Sequence, residues 1–252
     1  MIDTHCHLTD IQFEGEIEEI VNNFLCAGVS KAITIGYDIE SSKKSIELAN
    51  KYECVYCAIG VHPDDCDKYN EEVLGNLLQN RNNKLVAVGE IGLDYYHNKE
   101  NKEKQIEVFE RQILLAKKYQ LPIVIHCREA YGDTLEVLKR HAPLDFGAVM
   151  HCYSGSWAFA KELLKLGVKF SFTGTVTYKN AKNVQEVARN LPLDSFFFET
   201  DCPYLAPAPY RGKRNEPKFV VETAKFVAEL RNMTFEELEK ITNSNAQSFF
   251  KI

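Results

Sequence analysis

The sequence predicts an α/β protein, a closed (β/α)8 TIM barrel, from three observations. Short β-rich apolar runs alternate with longer amphipathic stretches, and eight such runs can be counted. Their near-continuous hydrophobicity suits parallel strands covered on both faces. The length, 252 residues, is what eight strand–helix units need.

The strand candidates, in order, are MIDTH (1–5), KAITIGY (31–37), VYCAIGV (55–61) and KLVAVGEIG (84–92), followed by LPIVIHC (121–127), FGAVMHC (146–152), VKFSFTG (168–174) and SFFFETD (195–201). Each is rich in Val, Ile or Phe, and most end in Gly, Asp or a polar cluster. Between them, residues 14–28 place Ile17, Ile20, Val21, Phe24 and Leu25 at helical spacing, with Gly28 as the stop. Residues 101–120 set Ile106, Phe109, Ile113, Leu114 and Lys117 along one helix. Residues 156–167 form another, ending in Gly167, and the helix of the C-terminal stretch opens with a capping box, Thr234 and Glu237. An open doubly wound sheet is the competing architecture. It loses support because no G-x-G-x-x-G follows the first strand. No linker or low-complexity segment interrupts the chain, so residues 1–252 read as one domain.

Composition narrows the function. Hydrophobic residues make up 45% and charged residues 26%, the mix of a globular protein. A formal net charge of -6 argues against coating nucleic acid by bulk charge, but leaves room for an enzyme that grips one strand locally. No run of about 20 apolar residues offers a membrane span. The N-terminus has neither a basic n-region nor an apolar h-region, so a cytoplasmic protein is expected. Eight irregularly spaced cysteines suit reduced thiols rather than a disulfide framework.

Four times a cysteine follows a His or Asp: His5–Cys6, His126–Cys127, His151–Cys152 and Asp201–Cys202. Side chains alternate along a strand, so if the His and Asp face the barrel axis the cysteines face the helices, as small buried hydrophobes. His5 and His7 share a face. His5, His7, Glu90, His126, His151 and Asp201 fall at the C-terminal ends of predicted strands, which in a (β/α)8 barrel meet at one mouth. Buried unpaired, such groups cost several kcal/mol each. Six candidate ligands exceed one tetrahedral site, so two divalent metals are expected, with Glu90 or Asp201 as the bridging carboxylate. Four histidines favour Zn²⁺ or Mn²⁺, and the carboxylates also permit Mg²⁺.

The stretches IDTHCHL, GVHP, GEIGLDYY, PIVIHCREA, HCYSG, FFFETDCPYL and RGKRNEP, in this order from residue 2 to about 217, resemble the TatD family of metal-dependent hydrolases, which belongs to the amidohydrolase-like barrels. The resemblance implies two divalent metals and a deoxyribonuclease, often a 3′→5′ exonuclease. The expected partner is DNA, single-stranded or at 3′ ends, and the expected state a monomer. Carried onto this chain it makes His5 and His7 the H-x-H pair and Glu90 the shared carboxylate. His126, His151 and Asp201 complete the ligands, and Asp201 also orients the attacking water. It equally implies an alternative, an ester hydrolase such as a D-aminoacyl-tRNA deacylase using the same metals. One departure stands out: the family usually has Asp or Asn two residues after the second His, where this chain has Thr9, followed by Asp10.

Further candidates carry two readings each. Arg128 either contacts a phosphate or pairs with Glu90 or Asp94. His62, ending the third strand, either meets substrate or steadies the catalytic water, or is structural. Arg211, Lys213, Arg214 and Asn215 form a small basic loop that either tracks a nucleic-acid backbone or is simply solvated. Tyr95, Tyr96 and Trp157 either stack on a base or pack. Glu199 either orients a His ligand or is a buried structural carboxylate. Cys54 and Cys57 match C-x-x-C, but their odd separation in a strand points the sulfurs apart, against a redox role.

Overall fold

Strand and helix alternate from the first residues to the last in a computed structural model that describes residues 1–252. The strands are β1 (Ile2–Cys6), β2 (Lys31–Ile35), β3 (Val55–Ile59), β4 (Leu85–Asp94), β5 (Ile123–Arg128), β6 (Ala148–Met150), β7 (Lys169–Phe172) and β8 (Phe196–Phe198). They are ordered β1 to β8 in one sheet. A doubly wound sheet would reverse its order at a switch point; this chain order is that of the (β/α)8 barrel. The helices are α1 (Ile17–Cys26), α2 (Ile39–Lys51), α3 (Glu71–Gln79), α4 (Lys102–Tyr119), α5 (Tyr131–His141), α6 (Trp157–Lys165), α7 (Lys182–Asn190), α8 (Val220–Leu230) and α9 (Phe235–Phe250). None is long and apolar enough to cross a membrane.

The chain divides into two compact units. One comprises Met1–Thr34, Cys152–Ala160 and Phe170–Ile252. In it β1 pairs with β2 in parallel (Ile2↔Lys31, Asp3↔Ala32, Cys6↔Thr34) and β7 with β8 (Phe170↔Phe196, Phe172↔Phe198). Beyond β8 the chain is stitched to β1: the Asp201 amide donates to the His5 carbonyl at 2.9 Å and the His7 amide to the Cys202 carbonyl at 2.8 Å. Phe170, Phe172, Phe196, Phe197 and Phe198 are fully buried here, each contributing roughly 1.5–3 kcal/mol by leaving water. The capping box expected at Thr234 and Glu237 starts α9.

The other unit comprises Ile35–His151 and Lys161–Lys169. Here β3, β4, β5 and β6 run parallel (Ala58↔Ala87, Gly92↔His126, Val124↔Val149). Its α4 corrects the sequence reading. Leu114 is exposed, whereas Gln105 and Gln112 are buried. Both amides act as strand mimics. Gln112 accepts from the Val61 amide at 2.8 Å and donates to the Val61 carbonyl at 2.9 Å. Gln105 does the same for Asp94, at 2.9 and 3.0 Å. Buried polar groups that find both partners cost little, so α4 is amphipathic in a way hydropathy does not register.

Candidate metal centre

Two strands bulge where a predicted ligand sits. Between Asp3↔Ala32 and Cys6↔Thr34 β1 advances three residues to two on β2, and between Val88↔Ile123 and Ile91↔Ile125 β4 gains one residue on β5. An extra residue re-aims the side chains around it, and the residues inside these bulges include His5 and Glu90. Gly92 permits the close approach of β4 to β5. Its φ is +145°, and a Cβ there would lie 2.0 Å from the His126 carbonyl oxygen.

In the first unit His5, His7 and Asp201 converge. The two Nε2 atoms are 3.2 Å apart, and Asp201 Oδ1 lies 3.5 Å from His5 Nε2 and 3.2 Å from His7 Nε2. His5 and His7 are buried. His7 lies one residue past the end of β1 at Cys6, and its ring still meets that of His5, as their two-residue spacing leads one to expect. At Asp201 strand alternation does not apply. β8 ends at Phe198, and Asp201 occupies a left-handed turn with φ 56°. Its placement comes from neighbours instead. Thr200 donates to buried Asp3 through its hydroxyl at 2.6 Å and its amide at 2.9 Å. Burial pushes the Asp3 carboxyl up to about 8 despite those bonds. Asn215, fully buried, donates to the carbonyls of Thr200 (2.9 Å) and Tyr204 (2.6 Å). Asp10 caps the turn at Ile11–Phe13 by accepting from the Gln12 amide at 2.8 Å, and also receives the Tyr204 hydroxyl at 2.8 Å.

The second unit brings together Glu90, His126, His151 and His62. Glu90 Oε1 lies 2.8 Å from both His126 Nδ1 and His151 Nε2, which are 3.4 Å from each other. On the opposite side of the His126 ring, Nε2 lies 3.1 Å from Asp94 Oδ2. Carboxylates only accept, so a His126 that serves both carries both protons. Burial would lower its pKa, but Asp94 and Glu90 outweigh that and raise it. Asp94 is itself opposed by burial, and hydrogen bonds from His126 and His97 hold its carboxyl well below the usual range. Its Oδ1 accepts from the amides of Tyr96 and His97, both at 2.8 Å, and its Oδ2 meets His97 Nδ1 at 2.8 Å. His62 Nδ1 accepts from the Asp64 amide at 3.2 Å, so its Nε2 carries the proton. Burial, then the neighbouring His126, lowers its pKa to about 3, leaving it neutral at pH 7. Its ring meets His126 edge-on at 4.3 Å.

Each triad thus sets two imidazole nitrogens and a carboxylate oxygen within 3.5 Å of one another. Imidazole suits divalent zinc and the carboxylates also suit manganese or magnesium, and lone pairs converging in a buried place call for positive charge. The residues fit such ions.

The other expectations divide. Arg128 pairs with neither Glu90 nor Asp94; its guanidinium sits 4.1 Å above the Tyr96 ring. Arg211 likewise lies over Tyr178, at 4.4 Å. Arg214, however, is structural: it donates to the Gln12 carbonyl and to Glu16, both at 2.6 Å. With Asn215 buried as well, half of the expected basic loop has a holding role. Tyr95 packs, its hydroxyl donating to Asp133 at 2.7 Å, while Tyr96 is half exposed. Glu199 accepts from the Cys152 amide (2.6 Å) and the Ser171 hydroxyl (2.5 Å). Cys6 and Cys202 are buried as expected, and Cys127 turns toward α5, where Thr134 donates to its sulfur at 3.3 Å. Cys152 follows a strand that ends at Met150 and has φ 44°, so strand alternation does not place it. No cysteine forms a disulfide. The sequence reading missed Asp3 and the holding role of Asp94. The available signal was an acidic residue within a strand, Asp3 in β1 and Asp94 in β4.

The fold and the two triads define a metal-dependent hydrolase. The family model described as TatD related DNase matches residues 2–251, and the chain belongs to the TatD family. It is 42% identical over 253 residues to the uncharacterised metal-dependent hydrolase YabD of Bacillus subtilis, covering 100% of this chain and 99% of that one. YcfH of Escherichia coli, with the same description, is 34% identical over 256 residues, with 100% and 96% coverage. Among solved structures, the TatD homologue YjjV of Escherichia coli superposes with a TM-score of 0.96 at 34% identity, covering 100% and 98%. A TatD family hydrolase of Entamoeba histolytica gives 0.90 at 25% identity, covering 99% and 97%.

Proposed function

We propose that this chain is a deoxyribonuclease that removes nucleotides from the 3′ ends of single-stranded DNA, with His5, His7, Glu90, His126, His151 and Asp201 as the protein ligands of two divalent cations, Mg²⁺, Mn²⁺ or Zn²⁺. The observation that carries the reading is the pair of His–His–carboxylate triads, each at or just past the end of its strands, where (β/α)8 enzymes keep their chemistry. Cations held by these residues would supply polarisation of a phosphoryl oxygen and a more acidic water. Asp201 orients the attacking water and receives its proton on its carboxylate. Neutral His62 offers its Nε2 proton to the substrate. Arg128 and Arg211 hold phosphate oxygens, a task suited to planar guanidinium groups. Residues 1–252 act as one domain and as a monomer in the cytoplasm; the absence of disulfides supports that compartment.

The test is turnover by metal-stripped protein reloaded with Mg²⁺, Mn²⁺ or Zn²⁺, given 3′-labelled single-stranded DNA or D-aminoacyl-tRNA. Stepwise loss of the 3′ label, abolished by chelator and by Asp201→Asn, is expected. Full activity of Asp201→Asn would remove that residue from the mechanism. Deacylation with intact DNA would keep the metal ligands and move the reaction to an ester.

A further inference from the structure

Beside the Glu90–His126–His151 triad lies an aromatic surface that no metal chemistry needs. Tyr96 is 51% exposed, the largest exposure of any aromatic residue in its unit. One face of its ring carries the Arg128 guanidinium at 4.1 Å, and His97 abuts its edge at 4.9 Å. The backbone beneath is fixed. Asp94 holds the amides of Tyr96 and His97, the Tyr95 amide donates to the Arg128 carbonyl at 2.9 Å, and the backbones of Asp94 and Arg128 stand in register across β4 and β5. Arg128 forms no ion pair, although Glu129 follows it directly and the chain is acidic overall. An arginine held by stacking keeps its N–H fork free for an anion. On strand β5 it lies two residues beyond His126.

We infer that Tyr96 and Arg128 form a preformed nucleotide platform: one unpaired base of a single-stranded chain stacks on Tyr96 while its phosphate is held by Arg128. This rests on the nuclease reading and goes beyond it by naming what selects a polymer with accessible bases. Duplex DNA, with its bases stacked inside, cannot use the platform.

The experiment is a thermodynamic cycle on the metal-loaded enzyme. Oligonucleotides of single-stranded DNA, intact or with one abasic site at each of the last three positions, meet the wild type, Tyr96→Ala and Tyr96→Trp. Both kcat/KM for cleavage and Kd by fluorescence anisotropy are read. Loss of one stacked base costs about tenfold. Tyr96→Ala should show that loss on intact DNA and no additional loss at one abasic position, and Tyr96→Trp should restore it. Arg128→Ala should weaken binding and flatten its salt dependence. Losses from Tyr96→Ala that multiply with every abasic site would overturn the platform, as would an unchanged Kd. A wild type that binds in this coupled way yet cleaves nothing refutes the nuclease reading alone. A wild type that neither binds nor cleaves refutes both.

Discussion

Asp94→Asn isolates the tautomer of His126. The carboxylate splits its work: Oδ1 takes two backbone amides and Oδ2 faces His97 Nδ1 and His126 Nε2, at 2.8 and 3.1 Å. An asparagine keeps its oxygen on the amides, so its NH2 points at the two imidazoles. Two donors then face each other unless His126 gives up its Nε2 proton and keeps only the one on Nδ1, the nitrogen 2.8 Å from Glu90. That proton occupies the lone pair a cation needs. Partners that orient a metal-bound histidine typically govern 10–100-fold in metal affinity, about 1.4–2.7 kcal/mol. The same range follows from the structure, since one hydrogen bond to a charged group is worth roughly 1.5–3 kcal/mol. The assay is chelator competition for Zn²⁺ with the wild type and the variant, alongside thermal unfolding of both. A 10–100-fold weaker site in a folded variant is expected. Equal affinity would show that Asp94 does not set the ring's tautomer, and a collapse of folding would assign it to the core instead.

Two further outcomes follow from packing. Gly92→Ala combines a positive φ with a Cβ driven into the His126 carbonyl oxygen, so urea unfolding should show a loss of about 2–5 kcal/mol; a loss under 1 kcal/mol would mean that the strands part easily. Among the cysteines Cys26 is exposed while Cys6, Cys57, Cys66 and Cys202 are buried, and burial pushes the Cys57 thiol up to about 12. Ellman's reagent at pH 8 should therefore label Cys26 in the native protein and those four only after unfolding.

What the sequence made legible was periodic. Eight apolar runs gave the eight strands, and the two-residue spacing of His5 and His7 gave their convergence. What it concealed was irregular. The bulges at β1 and β4 depend on which residue of a neighbouring strand each one faces, and no local pattern records that. Strand ends were overestimated at β6 and β8, because VMHC and FFETD stay apolar or extended in type although Cys152 and Asp201 take left-handed turns. Gln105 and Gln112 look like surface residues of a helix until the strand backbones they bind are present. Arg214 looked like a binding residue because charge in sequence carries no partner; Glu16, its partner, is 198 positions away.

The two triads share a logic that explains their supports. A His–His–carboxylate triangle closed to 3.5 Å or less is unfavourable to assemble, because imidazoles facing each other compete for protons and burial strips them of water. Each triangle is accordingly braced from outside. Asp3, Thr200 and Asn215 pin the turn that carries Asp201, while Asp94, itself gripped by Gln105, holds His126. Rigid backing of this kind keeps the nitrogens converged whatever fills the space between them, and a cation then enters without reorganising the strand ends. Helix α4, through Gln105, and the Asn215 loop, through the Thr200 carbonyl, therefore stand one residue behind the triads. On the proposed ligand set, loosening either by substitution is expected to weaken cation binding before it lowers the unfolding midpoint, which chelator competition read beside thermal unfolding checks.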